Sequence, residues 1–161
     1  MGVRKMKYIL CDIDGTISKV GERLKYLQQD PPDWDKFYED CFEDAPIQPI
    51  IDIINALSLH GRNASGESYD LVFCTERRES VREKTKEWLF NNVDEFYGEL
   101  SFLLMRPDND HRHDTEIKPE LLAAAGIRPE NTAFIIEDRN SMVKKWRELG
   151  FVCIQPAEGD F

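Results

Sequence analysis

Tyr8-Ile9-Leu10-Cys11-Asp12-Ile13-Asp14-Gly15-Thr16 is the stretch on which the reading of this 161-residue chain turns. A short apolar run ends in two carboxylates, a glycine and a hydroxyl. That is the pattern of a buried strand running into a turn. Asp12 and Asp14 are spaced by two, so in extended backbone they share a face. Two like charges that close repel unless a cation or a shared proton relieves them. Mg²⁺, a hard cation that takes oxygen ligands, is the natural relief. One carboxylate can then attack phosphorus while the other handles a proton. Gly15 permits a sharp turn, and Thr16 offers a hydroxyl and a backbone N–H to an anion. An ordinary strand-to-turn junction uses Asp and Gly in the same places, so support has to come from elsewhere in the chain.

The length suits one domain, residues 1–161, with a proper core. A formal net charge of −10 argues against broad, charge-driven binding to nucleic acid or acidic membranes. It leaves room for a local basic pocket. No sustained apolar segment follows the first six residues, so neither a signal peptide nor a membrane span is expected, and the compartment read here is the cytoplasm. Met1-Gly2 lacks Ser or Thr at position 6, which weakens a myristoylation reading. Cys11, Cys41, Cys74 and Cys153 have no metal-type spacing. They are expected as buried small hydrophobes in a reducing compartment.

Residues 17–44 read as an insert after the first strand, broken by Gly21 and Asp30-Pro31-Pro32-Asp33. Trp34, Phe37, Tyr38 and Phe42 suit a short helix beginning near Asp33. They fit ordinary core, the preferred reading, or a small lid over the acids. Pro46 to His60 predicts a helix with Ile47, Ile50, Ile51, Ile54 and Leu57 as its stripe. A polar loop with an Asn63-Ala64-Ser65 sequon follows, one a cytosolic protein would not use. Asp70 to Thr75 is a second strand, ending in a hydroxyl. Glu79 to Asn91 is a helix with Val81, Thr85, Trp88 and Leu89 inward. Leu100 to Met105 is a third strand, running into the polar stretch from Arg106 to Asp114. A short helix spans Pro119 to Ala125, closed by Gly126. Thr132 to Ile136 is a fourth strand, ending in Glu137-Asp138. Asn140 is expected to cap a helix carrying Met142, Val143 and Trp146, with Gly150 at its end, and Phe151 to Ile154 is the fifth strand.

Strands alternating with helices predict an α/β domain with a mostly parallel five-stranded sheet flanked by helices. Ligands of such sheets gather beyond the carboxyl ends of the strands. Asp12, Asp14, Thr75, Arg106, Glu137 and Asp138 all fall there. Acidic pairs on two strands can hold one Mg²⁺ between them. Asp12 would attack phosphorus and form an aspartyl-phosphate. Asp14 would protonate the leaving alkoxide and then deprotonate the hydrolytic water. Thr75 could hold a phosphate oxygen and Lys118 could offset charge on the phosphoryl group. Against these stand plainer readings: Thr75 as a local cap and Lys118 as a solvated lysine.

The order Asp-x-Asp-Gly-Thr, a strand-end Thr, a Lys and a later acidic pair resembles the haloacid dehalogenase (HAD)-type phosphohydrolases. The resemblance implies a Rossmann-like fold with a small flap or cap at residues 17–44. It implies Asp12 as nucleophile, Asp14 as acid/base, and a metal held by Asp12, the backbone carbonyl of Asp14, Asp138 and Glu137. Thr75-Glu76-Arg77-Arg78-Glu79-Ser80, Met105-Arg106-Pro107 leading through His111-Arg112-His113-Asp114 to Lys118, Glu137-Asp138-Arg139, and the tail Glu158-Gly159-Asp160-Phe161 are similar to the phosphatase half of bacteriophage-type polynucleotide kinase–phosphatases. Substrate contacts follow for Arg77, Arg106, Arg112 and Arg139, whose planar forks suit phosphate, with Gly15 and Thr16 beside them. Three departures stand out. No Gly-x-x-x-x-Gly-Lys-Ser/Thr loop occurs, so the kinase half is missing. Glu76 stands where the family often has Gly. Glu137 stands where the family usually has Asp, which makes Asp138 the safer ligand.

The leading expectation is therefore a Mg²⁺-dependent phosphomonoesterase acting on nucleic-acid 3′ ends in DNA or RNA repair. It would have no membrane partner, and a separate polynucleotide kinase or ligase would act beside it. A nucleotide or other small-molecule phosphatase keeps the chemistry, and the acidic net charge favours it slightly. A phospho-acceptor signalling module is the alternative of a different class. Receiver domains place their acidic pair first and the acceptor later, whereas here Asp14 stands ready to hydrolyse the intermediate.

Overall fold

The computed structural model describes residues 6–59, 66, 68–94 and 103–159. β1 (Met6–Cys11), β4 (Ser68–Arg78), β5 (Leu103–Arg106), β6 (Thr132–Ile136) and β7 (Cys153–Ile154) form one sheet in the order β5-β4-β1-β6-β7. Every neighbouring pair in it is parallel. The chain runs outward from β1 through β4 to β5, then returns to the other side of β1 for β6 and β7. That reversal opens a crevice at the carboxyl ends of β1 and β6, where open α/β sheets bind ligands. The first acidic pair leaves β1 there and the second leaves β6.

Alternation along the strands builds two cores. Cys11, Phe73 and Ile136 face one side, with α3 (Gln48–Leu59) and α4 (Arg82–Asn92) contributing Ile51, Ile54, Trp88 and Leu89. Leu10, Val72, Cys74 and Ile135 face the other, against α5 (Asp114–Ala124) and α6 (Asn140–Glu148), which supply Leu122, Met142, Val143 and Trp146. A strand buried on both faces reads as a continuous apolar run, as β1 does. Cys11, Cys41, Cys74 and Cys153 are free and buried, as expected of small hydrophobes.

Residues 17–44 carry β2 (Ser18–Lys19), α1 (Leu24–Leu27) and α2 (Trp34–Glu39). β2 pairs antiparallel with β3 (Ala45–Pro46), which returns the insert to the domain. Asp33 caps α2 by accepting from the amide of Lys36 at 3.0 Å. Phe37, Tyr38 and Cys41 are buried in the same core as β1. The insert therefore lies on the sheet's own hydrophobic core.

Several expected boundaries differ, among them the second strand, which runs to Arg78 rather than Thr75. The helix near Pro119 begins at Asp114, because the His113 side chain caps it and Pro119 is carried inside. Lys118 consequently sits within α5, one turn from its start. Asn140 is the first residue of α6 and caps nothing; its Oδ1 accepts from Gln155. The third strand is described as Leu103–Arg106, and residues 100–102 lie outside the described residues. So do the sequon, His60, and Asp160 and Phe161 of the tail. Among the described residues no helix is long and apolar enough to cross a membrane.

Candidate active site

The turn after β1 is built around one carbonyl. Ile13 is fully buried, and its oxygen accepts from the amides of Thr16, Ile17 and Ser18 at 3.2, 2.9 and 3.0 Å. Gly15 has φ +87°, and a Cβ there would stand 2.3 Å from Asp138 Oδ2. Both the left-handed backbone and the close approach call for glycine.

Asp12 enters a centre with too little positive charge. Lys118 Nζ donates to Asp12 Oδ1 at 2.7 Å and to Glu137 Oε2 at 2.8 Å. Asp12, Glu137 and Asp138 are all buried and offer carboxylate oxygens within 4.8 Å of one another. Burial, and then repulsion from Glu137, push the Asp12 carboxyl up to about 7 against the pull of Lys118. Burial and Asp12 push Asp138 up to about 6. Burial also disfavours a charged Lys118, but Asp12 and Glu137 outweigh it and hold the ammonium well above its ordinary value. Thr16 Oγ1 donates to Asp138 Oδ1 at 2.9 Å. The Asp138 carboxylate lies in a cradle of two glycines, since a Cβ on Gly159 would meet Asp138 Oδ2 at 2.6 Å. The tail segment is stapled there, with Gly159 N donating to the Asp138 carbonyl at 3.0 Å.

Asp14 enters the opposite kind of centre. Arg23 Nη2 and Arg77 Nη2 both reach its Oδ1 at 2.7 Å. Arg23 also grips Asp44 with Nε and Nη2 at 2.8 and 2.6 Å, and Ser18 Oγ donates to Asp44 at 2.6 Å. Burial would raise the Asp14 carboxyl, but the two guanidiniums outweigh it and hold it down to about 2. Asp44 is itself anchored, because its carbonyl accepts from Trp88 Nε1 at 2.8 Å.

β4 supplies the third part. Thr75 pairs with Met105 and Arg78 with Arg106, so Glu76 and Arg77 form a bulge. Bulges re-aim side chains. Here Arg77 turns inward to Asp14 while Glu76 faces the crevice. Glu76 Oε1 and Asp114 Oδ2 accept from Arg139 Nη1 at 2.5 and 2.7 Å. Burial raises the Glu76 carboxyl to about 7. Thr75 Oγ1 accepts from the Arg77 amide at 3.2 Å, which leaves its own proton to donate.

A cavity of about 960 Å³ joins these parts. Asp12, Asp14, Gly15, Thr75, Arg106, Arg112, Lys118, Glu137, Asp138 and Arg139 line it. One expectation is corrected, and one plainer reading falls away. Arg77 has no exposed surface and does not line the cavity, because the bulge commits it to Asp14, Ser18 and Asp44. Lys118 is buried between two carboxylates rather than solvated. The side chain of Asp14, where only the backbone carbonyl was expected as a ligand, lies outside the three-acid cluster and is held by arginines. Arg112 reaches the rim but is paired with Asp110 and Glu120 at 2.8 and 2.7 Å. Arg106 Nη1 donates to the carbonyls of Asp110 and Arg112, ordering that polar loop, and its buried Nε has no partner among the described residues.

Sequence reasoning missed Arg23, Ser18 and Asp44, which complete the Asp14 centre. They carry no motif and meet only through the β2–β3 return. Gly159 was read only as part of a tail, and Asp114 only as part of a polar run.

The profile of the family described as "Polynucleotide kinase PNKP phosphatase domain" matches residues 6–161. A chain of the solved Pnkp1/Rnl/Hen1 complex superposes with a TM-score of 0.72 at 28% identity, over 98% of this chain and 47% of that one. This protein thus spans about half the length of that relative. A haloacid dehalogenase-like hydrolase from Streptococcus pneumoniae superposes at TM-score 0.57 with 16% identity, over 95% of this chain and 85% of the other. A HAD family enzyme from Bacteroides thetaiotaomicron, solved with magnesium and inorganic phosphate, does so at TM-score 0.55 with 14% identity, over 97% and 96%. At such identities these two likenesses concern the fold.

Proposed function

The chain belongs to the polynucleotide kinase PNKP phosphatase-domain family of HAD hydrolases and is a phosphatase, and from that premise we propose that it removes 3′-phosphates from nucleic-acid ends with Mg²⁺ as cofactor. The observation that carries this reading is the pair of unlike carboxylates at the end of β1. Asp12 sits in a centre short of positive charge and Asp14 in one rich in it. Carboxylates whose surroundings push them apart divide acid, base and nucleophile roles between them.

Three buried acids facing one lysine fit a hard divalent cation, and Asp12, Asp138 and Glu137 would hold it. When bound, Mg²⁺ supplies the positive charge that lets a carboxylate meet an anionic phosphate. An oxygen of Asp12 forms a bond to phosphorus as the bond to the substrate's 3′-oxygen breaks, and the carboxyl proton of Asp14 passes to the departing alkoxide. Water then attacks phosphorus, Asp14 takes its proton, and the Asp12–phosphorus bond breaks. The sum is one ester and one water giving an alcohol and phosphate. Arg23 and Arg77 keep Asp14 ionised in the free protein, which suits the water step. An arriving phosphate dianion raises its proton affinity for the first step. Lys118 offsets charge on the phosphoryl group and the Thr75 hydroxyl donates to its oxygens, whereas the Gly15 and Thr16 amides, expected as phosphate donors, are already given to the Ser18 and Ile13 carbonyls. Arg106, Arg112 and Arg139 bind the strand at the rim, while Arg77 positions Asp14.

Residues 17–44 act as a fixed flap, a role supported by their side chains in the cavity wall. The relative in the Pnkp1/Rnl/Hen1 complex supports a kinase or ligase working alongside. Four free, buried cysteines suit the cytoplasm. The net charge of −10 favours a second reading, hydrolysis of free nucleotides. Phosphate release from 3′- and 5′-phosphorylated oligonucleotides and 3′- and 5′-mononucleotides, with Mg²⁺ and with EDTA, separates the two. We expect Mg²⁺-dependent release with the 3′-phosphorylated oligonucleotide preferred. Preference for mononucleotides would move the substrate to nucleotides. A long-lived phospho-protein without turnover would move the protein to signalling.

A further inference from the structure

The cavity has two unlike walls. One holds the acids, Lys118 and the arginines. The other is apolar: Val20, Leu24, Leu27, Trp34, Phe37 and Tyr38, all from residues 17–44. A phosphate group and its metal use none of that second wall. At about 960 Å³ the cavity is also far larger than a phosphate needs, since pockets of roughly 300–1,000 Å³ take drug-sized ligands.

Trp34 stands out in this wall. It is 46% exposed, whereas Trp88 and Trp146 are 2% and 1% exposed. Its ring is nonetheless held. Tyr38 stacks on it at 6.2 Å and 28°, and Phe37 meets it edge-on at 5.9 Å. Tyr38 is covered in turn by the Arg78 guanidinium at 4.9 Å. Phe37 lies under the Arg23 guanidinium at 4.5 Å, and its carbonyl accepts from the same arginine at 2.8 Å. That arginine also grips Asp14. The exposed indole is thus braced by two rings, one of which, Phe37, lies against the arginine that holds Asp14. A braced, flat, exposed aromatic in a cavity shared with phosphate-binding arginines matches a nucleobase attached to the phosphate being removed.

We propose that the exposed face of Trp34, backed by Tyr38 and Phe37, stacks the base of the nucleotide that carries the 3′-phosphate. The inference rests on the nucleic-acid reading above. Stacking depends on the π-face and not on hydrogen-bonding edges, so the site favours nucleotides over plain phosphoesters and accepts all four bases.

The test compares two 3′-phosphorylated oligonucleotides that differ only in having a base or an abasic sugar at the terminal nucleotide. For the wild type we expect kcat/KM about tenfold or more higher with the base present. Trp34→Ala brings that ratio near one. Trp34→Leu, which keeps apolar bulk, lowers it similarly, and Trp34→Phe restores most of it. Because the other two tryptophans are buried, iodide quenching reads Trp34 directly. In Asp12→Asn the base-bearing oligonucleotide shields it and the abasic one does not. Equal kcat/KM for the two wild-type substrates, or a base preference that survives Trp34→Leu, overturns the stacking site while leaving the 3′-phosphatase intact. If neither oligonucleotide is hydrolysed, the nucleic-acid reading falls and this inference falls with it.

Discussion

Asp12 and Asp14 leave one strand end two residues apart and meet opposite surroundings. Asp12 shares one lysine with Glu137 and lies beside Asp138, and it holds its proton up to about 7. Asp14 lies under two guanidiniums and loses its proton near 2. Burial acts on both in the same direction, so the difference comes from the neighbours. The Asp12 centre sets one ammonium, Lys118, among three carboxylates and stays short of positive charge. The Asp14 centre balances its charge within the chain, because among the described residues the carboxylates that Arg23 and Arg77 pair with are Asp14 and Asp44. One centre is built to be finished by a ligand, and the other to hold a side chain in place.

The largest effect expected from breaking this contrast is at Asp12. Asp12→Asn lowers kcat by about 10⁴-fold or more, as loss of a covalent nucleophile does. The same change removes a buried repulsion, so thermal melting of the metal-free variant comes at or above the wild type. A variant with substantial Mg²⁺-dependent turnover would remove Asp12 from its role.

Next comes Arg77→Ala. It leaves Asp44 and Asp14 short of a partner inside the protein, and breaking a buried pair from one side costs about 3–5 kcal/mol. Urea unfolding reads that loss. The acid limb of the pH–rate profile moves upward as Asp14 loses one of its two cations. A stability change without a shift in that limb would reduce Arg77 to a purely structural residue.

The pH dependence of stability sharpens the contrast further. The folded protein binds protons at Asp12 and Asp138 more tightly than the unfolded chain does. Their contribution to metal-free stability is present below about 4 and is lost as pH rises through about 6 and 7. Asp14 has the opposite sign. Its contribution is present above about 4 and is lost as pH falls toward about 2. Thermal scans in EDTA are expected to show the metal-free site losing stability between pH 4 and 7. Mg²⁺ at a hundred times its dissociation constant restores about 2.7 kcal/mol at pH 7.5.

The smallest effect is at Gly159. A Cβ there presses on Asp138 Oδ2 at 2.6 Å and on the Asp138 carbonyl oxygen at 3.0 Å. Gly159→Ala should weaken Mg²⁺ binding about tenfold by tilting a ligand, as changes just outside a metal's ligands do. Calorimetric titration checks it. Unchanged affinity would mean that the tail merely rests on the site.

The alternating strands and helices were legible because each sheet strand is a short apolar run and each flanking helix carries a stripe. Asp12, Asp14, Glu137 and Asp138 were legible because they occupy strand ends, where little else explains them. Arg77 was legible as a residue but not in its direction. Its reading as a phosphate contact came from the family resemblance, and the two-residue bulge at Glu76–Arg77 turns it inward to Asp14 instead. Lys118 was expected before a helix starting at Pro119. The His113 cap moved that start upstream and carried the lysine onto a buried helical turn. Arg23 and Asp44 could not be found by spacing, since nothing in a polar insert marks which charges will be buried.

The amino-acid sequence by itself determined the doubly flanked parallel sheet, the acids at its strand ends and the kinship with HAD phosphatases. Periodicity and strand-end chemistry are local and survive without knowledge of what packs where. Only the tertiary structure decided how the charges are shared. The return of β6 beside β1 gathered three carboxylates around one lysine. The β2–β3 return and the bulge in β4 brought two arginines to Asp14 and kept them from Asp12. Proton affinity depends on burial and on charges a few ångströms away, and those distances exist only once the chain has folded.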